Sequence, residues 1–177
     1  MSVAQALLKC TGKTTAPPVI ARTWVVTSLD STIQRSTDNG VTWTNVDIAT
    51  FQLRKATASS GFTWINIGQY DCFRSVNDAA SFTRINSLPD FKNWVTLASN
   101  GATWIILSND GFAYRSTDDG VTFTALPNGL NSGNTSAIFN SIDSNGNTWI
   151  AVASGGYASR STDDGATWTA LPKGLNS

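Results

Sequence analysis

The chain has 177 residues, with 12 Lys and Arg against 12 acidic residues that are all Asp, so its formal net charge is zero and it holds no His. That length supports one domain with a real core. The lack of any apolar run near about 18 residues excludes a transmembrane helix, and zero net charge without a basic block argues against a nucleic-acid partner. With neither Glu nor His, the usual side chains of acid–base, metal and glycosidase chemistry are missing before any motif is considered.

Residues 1–20 read as a segment apart, a closing strand or a docking arm. The stretch Met1 to Cys10 has no basic start, and Gln5 and Lys9 break its apolar run, which predicts no signal peptide. Cys10 and Cys72 are the two thiols. They allow one bridge or two unpaired core thiols, the second being favoured, and no disulfide framework.

From about residue 21 the chain repeats itself. Arg35-Ser-Thr-Asp-Asn-Gly-Val-Thr-Trp43 recurs as Arg115 to Phe123 and as Arg160 to Trp168, with a worn copy from Arg74 to Phe82. Ten or eleven residues upstream of each copy stands a Trp followed by aliphatics, at Trp24, Trp64, Trp104 and Trp149. Successive Arg positions are 39, 41 and 45 residues apart. The units divide the chain into 21–50, 51–88, 89–130 and 131–177.

The first unit lacks a clear inner strand, because Pro17-Pro18 falls where its siblings have a hairpin. The third unit is the clearest. Trp94–Ser99 predicts a strand, Asn100-Gly101 a type I′ hairpin, and Trp104–Ser108 the next strand. Asn109-Asp110-Gly111 then turns into Phe112–Ser116, and the box leads into Thr122–Leu126. The fourth unit repeats this with turns at Asp143–Gly146 and Ser154–Gly156. Pro89, Pro127 and Pro172 each follow a last strand. Four antiparallel strands in about forty residues are the size of one propeller blade, so the predicted fold class is all-β, a β-propeller of four blades that oligomerisation could complete.

Within each box, an Asp at the head of a tight turn accepts backbone N–H groups just ahead, and a Gly supplies positive φ. The residues expected in these roles are Ser36, Asp38, Gly40 and Trp43; Asn77 and Phe82; Asp118, Gly120 and Phe123; and Asp163, Gly165 and Trp168. The motif Ser-x-Asp-x-Gly-x-Thr-Trp resembles the Asp-box, or bacterial neuraminidase repeat, of sialidase-like β-propellers. The copy at Ser75–Phe82 departs from it at Asn77 and Ala79. The resemblance implies a structural turn on the outer part of each blade, away from the ligand face, in a family that includes sialidases, other glycosidases, lectin-like modules, photosystem assembly factors and phage proteins.

Sialidase-type catalysis, as that family is known, needs a Tyr nucleophile paired with Glu, an Asp acid/base and an arginine triad. No Glu exists here, and Arg35, Arg74, Arg115 and Arg160 belong to the repeat, leaving Arg22, Arg54 and Arg84 without family context. The chain is therefore expected not to be an enzyme, to hold no catalytic residue and to need no cofactor. The loop from Asp143 to Asn147 lacks the later Glu and the ligand count that calcium needs, so no metal is expected. Six of the seven Trp recur at two positions and read as interblade packing. Trp94 is the exception, read either as the buried start of an inner strand or as part of a ligand surface. That candidate face comprises Phe91, Lys92 and Trp94 at the crossing into the third unit, with Tyr70, Asp71, Asn109 and Asp110 across the channel mouth. The resulting expectation is a non-catalytic module of recognition or assembly, most plausibly a phage virion component, tail-associated or capsid-decorating. Its partners would be copies of itself or other virion proteins, and it would work outside the cell without a signal peptide. A glycan-binding lectin-like propeller and a degenerate sialidase-like glycosidase are the alternatives, and the cytoplasm is the alternative location.

Overall fold

The computed structural model describes residues 22–28, 31–48, 52–127, 130 and 138–172. The 1–20 segment and Cys10 lie outside them. Alternating β-branched and polar residues bounded by Gly, Asn and Asp turns give strands throughout. In chain order these are β1 (Trp24–Thr27), β2 (Ile33–Ser36), β3 (Thr44–Asn45), β4 (Arg54–Ser59), β5 (Trp64–Gly68), β6 (Cys72–Ser75), β7 (Thr83–Arg84) and β8 (Trp94–Ser99). They continue as β9 (Trp104–Ser108), β10 (Ala113–Ser116), β11 (Thr124–Ala125), β12 (Phe139–Asn145), β13 (Thr148–Ala153), β14 (Tyr157–Ser161) and β15 (Thr169–Ala170), with a 3-10 turn at Ser154–Gly156.

The strands form four antiparallel meanders, β1-β2-β3, β4-β5-β6-β7, β8-β9-β10-β11 and β12-β13-β14-β15. Register makes β1 the counterpart of β5, β9 and β13, since Trp24 pairs with Ser36 as Trp64 pairs with Ser75, Trp104 with Ser116 and Trp149 with Ser161. The first blade thus has three strands among the described residues, and its inner strand is the missing one. Inner strands lie side by side, β4 against β8 and β8 against β12, with β1 against β4. Each of β4, β8 and β12 carries a bulge after its first residue, which bends the strand where it enters the sheet.

Two clusters of buried side chains fill the spaces between blades. Ile65, Ile67, Leu97, Trp104 and Ile106 join the second blade to the third, and Ile105, Leu107, Phe139, Ile142 and Trp149 join the third to the fourth. Trp104 and Trp149 are fully buried, each contributing roughly 2 kcal/mol or more of apolar burial. Of the box-end tryptophans, Trp168 packs against the cluster between the third and fourth blades, whereas Trp43 is 37% exposed. Trp43 and Trp168 each turn back on their own box, donating the indole N–H to Gly40 O and Gly165 O at 3.0 Å.

The hairpin at Asn100 also differs from expectation. It is a four-residue loop in which Asn100 Oδ1 accepts from the main-chain N–H of Ala102 and Thr103, at 3.1 and 2.8 Å. Gly101 is left-handed but Asn100 is not, so the two successive positive φ values of a type I′ turn are absent. Such pairs occur in the boxes instead, at Asn39-Gly40, Asp78-Ala79, Asp119-Gly120 and Asp164-Gly165.

Candidate functional site

The box is a closed set of local bonds. Asp118 accepts from Ser116 Oγ at 2.7 Å, from Thr122 N at 2.9 Å and from Thr122 Oγ1 at 2.6 Å, while Ser116 Oγ accepts from Gly120 N at 2.9 Å. The boxes at Asp38 and Asp163 repeat it. The worn copy keeps the same turn with different donors. Asn77 Oδ1 accepts from Ser81 N at 3.0 Å, and its amide donates to Ser81 Oγ at 2.9 Å. Hydrogen bonds that reward the charged form hold these carboxyls low. The Thr42 hydroxyl and N–H, then Ser36, bring Asp38 down to about 2. Burial raises Asp118, but the bonds from Thr122 and Ser116 prevail and bring it to about 2. Thr167 and then Ser161 bring Asp163 to about 2.

The residue after the box Asp does a second job, which the sequence reading missed. Arg35 Nε donates to Asp78 O at 2.6 Å and its Nη2 pairs with Asp78 Oδ2 at 3.1 Å. Arg115 does the same to Asp164, at 2.9 and 3.1 Å. Thr23, Thr63 and Thr103 add their hydroxyls to Asp78, Asp119 and Asp164 in turn. The same carboxylates also accept the indole N–H of Trp64, Trp104 and Trp149 from their own blades, at 3.2 to 3.3 Å. One carboxylate per junction thereby ties a blade to its predecessor. The legible signal was the recurrent Asp at 78, 119 and 164, followed by Ala79, Gly120 and Gly165, set against the recurrent Arg.

The expected ligand face divides in two. Trp94 does not stand on it: the ring is 0% exposed and meets Tyr114 edge-on, with centroids 5.4 Å apart and planes at 81°. Asp71 is also buried, and it holds the guanidinium of Arg54. Arg54 fills in the second blade the place that Trp94 fills in the third and Phe139 in the fourth, each the first residue of an inner strand and each buried. Its charge is met by Asp71, Asn66 Oδ1 at 3.0 Å and Gln52 O at 3.0 Å, with the Phe73 ring 5.5 Å from its Cζ. Gly68 is required beside it, since a Cβ there would lie 1.8 Å from Arg54 Nη2.

The remaining residues of the face do reach solvent. Phe91 is 86% exposed and sits at φ 64°, a left-handed conformation that costs a bulky residue about 1–2 kcal/mol. Lys92 pairs with Asp110 and lies 3.9 Å above the Phe112 ring centroid. Burial raises the Asp110 carboxyl, but bonds from Lys92 and Ser108 outweigh it and hold it below its ordinary range. Asn109 is exposed, its N–H spent on Asn93 O at 2.9 Å. Tyr70 is half exposed and accepts from the Gln69 amide at 3.0 Å. Leu53, Phe112 and Ile138 are further exposed apolar side chains in the crossing segments and second-to-third-strand hairpins.

At the opposite end of the blades, where the first hairpins and the boxes lie, the inner strands border a cavity of about 540 Å³. Thr57, Ser59, Ser99 and Ser141 line it, with Arg22 and Trp24 on one side and Asp143 on the other. Ala58, Trp64, Leu97, Ala98 and Ile142 also line it, so its hydroxyls and one carboxylate stand among apolar groups. They provide no pair of carboxyls for acid–base cleavage. Among the described residues no cluster of three or more Cys and Asp side chains is disposed to hold a metal, and no helix is long and apolar enough to cross a membrane.

No family model matches the sequence, and comparison with curated proteins finds no match. Solved structures do match. YCF48 bound to D1 peptide aligns with a TM-score of 0.64 at 16% identity, over 85% of this chain and 51% of that one. An ancestral GH74 enzyme aligns with a TM-score of 0.69 at 20% identity, over 86% and 23%. A GH74 xyloglucanase from Xanthomonas campestris aligns with a TM-score of 0.68 at 16% identity, over 87% and 29%. The chain thus spans about half of the first protein and less than a third of the other two. At these identities the likeness concerns the fold alone, and the fold is the β-propeller, shared by enzymes and by a peptide-bound protein.

Proposed function

We propose that this chain is a non-catalytic Asp-box β-propeller of recognition and assembly, a phage virion component of the tail-associated or capsid-decorating kind, acting outside the cell. The observation that carries the reading is where the carboxylates are spent. Asp38, Asp118 and Asp163 close turns, Asp78, Asp119 and Asp164 tie blades together, and Asp71, Asp90 and Asp110 sit in ion pairs. A hydrolase would need some of these acids turned to a substrate. What faces solvent instead is a surface centred on Phe91, an exposed aromatic ring in a costly backbone conformation beside the Lys92–Asp110 pair. Strain held at an exposed side chain is characteristic of binding positions.

Mass spectrometry and antibody labelling of purified particles from the source test the reading, the expected result being the chain at fixed stoichiometry on the particle. Its absence from particles would overturn the virion role. The exposed Phe91 and Tyr70 rings favour a second reading, a lectin-like module that stacks sugars on aromatic faces. Glycan-array binding abolished by Phe91→Ala would support that reading in place of the first. Turnover of a sialoside by the purified chain would overturn both.

A further inference from the structure

Three blade junctions are built from one set of parts. An Arg from the earlier blade grips the main-chain oxygen and carboxylate of the first left-handed residue in the next box, as Arg74 grips Asp119 at 2.8 and 3.0 Å. The aliphatic residue after each leading Trp packs where the next box has its small residue. A Cβ on Gly120 would lie 2.5 Å from Ile65 Cδ1, and one on Gly165 would lie 2.3 Å from Ile105 Cδ1.

Among the described residues, the first and fourth blades carry the two halves of this set, unmatched. On the first blade, Asn39 is exposed, and a Cβ on Gly40 would meet only Trp43 of its own box, at 3.7 Å. Trp24 is 36% exposed, where Trp104 and Trp149 are fully buried. On the fourth blade, Arg160 is exposed, where Arg35, Arg74 and Arg115 are half-buried, and Ile150 is half-buried, where Ile65 and Ile105 are fully buried. Ile150 opposite Gly40 would reproduce the tight pairs Ile65–Gly120 and Ile105–Gly165. Arg160 opposite residue 39 would find a left-handed residue at φ 60°, as are the residues gripped in the three formed junctions, Asp78, Asp119 and Asp164, at φ 57° to 59°.

The geometry points to a second copy of this chain as the occupant, the fourth blade of one copy docking on the first blade of the other through Arg160–Asn39 and Ile150–Gly40. Such a contact joins unlike surfaces, so two copies can satisfy both of their open faces at once by closing a ring. The arc this chain shares with a propeller of about twice its length is consistent with half a ring. The inference deepens the assembly part of the function proposed above and rests on it, but does not need the particle. Self-association of a chain never found on particles would keep this inference and remove the virion role.

Light scattering of the purified chain across a dilution series tests it, with a mass of twice 18.8 kDa expected. Arg160→Glu is expected to give monomer at concentrations where the parent is dimer, with unchanged far-ultraviolet dichroism, because Arg160 is exposed in the single chain. Asn39→Asp restores the carboxylate of the other junctions and is expected to lower the dissociation midpoint about threefold to tenfold. The double variant places like charges together and is expected to stay monomeric. A parent that is monomeric throughout, or a dimer that Arg160→Glu leaves intact, overturns the inference. A larger multiple that Arg160→Glu dissociates supports the junction and overturns the two-copy ring.

Discussion

Arg74 reaches from the second blade to Asp119 of the third, its Nε donating to the main-chain oxygen at 2.8 Å and its Nη2 pairing with the carboxylate at 3.0 Å. The pair is partly open to solvent, so its Coulomb term is screened and modest. Asp119 matters more than the ion pair alone, because it also accepts from Ser60, Thr63 and Trp104. Asp119→Ala strands four donors, and about 2–3 kcal/mol of stability should be lost, against about 1 kcal/mol for Arg74→Ala. Urea unfolding of both variants checks the order.

The first junction solves a steric problem differently from the other two. Ala79 is left-handed at φ 61° and fully buried where the siblings have Gly. Its methyl is accommodated because Val25 stands where the other blades have Ile65 and Ile105, and Val has no Cδ1. Val25→Ile should therefore destabilise the fold by about 1–3 kcal/mol through overpacking. Adding Ala79→Gly should restore most of the loss, so a double-mutant cycle should show strong coupling between the sites. Additive effects would remove this account.

Asp71 neutralises a guanidinium that has no water to turn to. Asp71→Ala leaves Arg54 charged among Phe73 and Asn66, and about 3–5 kcal/mol should be lost. By contrast, Phe91→Ala on the exposed face should shift stability by no more than about 0.5 kcal/mol, and Lys92→Ala, which removes a half-buried ion pair and a ring contact, by about 1 kcal/mol. Trp94→Ala should cost about 3–5 kcal/mol as a core truncation. Binding lost with that variant would thus report unfolding rather than a surface contact, and thermal melts of the set discriminate the two.

Acid should loosen the boxes in a defined window. The Asp38, Asp118 and Asp163 carboxyls lie near 2 in the fold, against an ordinary value of 3.8. Their folded values are depressed, so their contribution is complete above the ordinary value and is lost as pH falls from about 4 toward 2. Melting temperature should decline through that interval. Asp118→Asn should lower it at neutral pH and flatten the decline, since the Asn in the worn box already makes the turn without titrating. A decline as steep in Asp118→Asn as in the parent would assign the acid sensitivity elsewhere.

Cys72 lies fully buried beside Asp71, and burial followed by that neighbouring charge pushes its thiol well above its ordinary value. It should be inert to thiol reagents in the native protein and react fully in denaturant. Native reactivity at Cys72 would show that the second blade opens.

The repeat made much of this protein legible before any coordinates. Ser, Asp and Gly in the box act within four residues of one another, so their spacing alone determines the turn, and even the worn copy keeps it because Asn77 replaces one local acceptor with another. The strand order follows for the same reason, each hairpin joining neighbours in the chain. Contacts between blades are different, since they depend on which residues the stacking of sheets brings together over some 40 to 65 positions in sequence. Only the tertiary structure could show that Asp78, Asp119 and Asp164 receive the preceding blade's Arg. Only there does it emerge that Arg54 occupies an aromatic position, that Trp94 and Asp71 lie inside while Phe91 lies outside, and that the first and last blades present unmatched halves of one junction. Local bonding is written in adjacent letters, whereas burial and charge pairing are properties of surfaces that exist only once the sheets have packed.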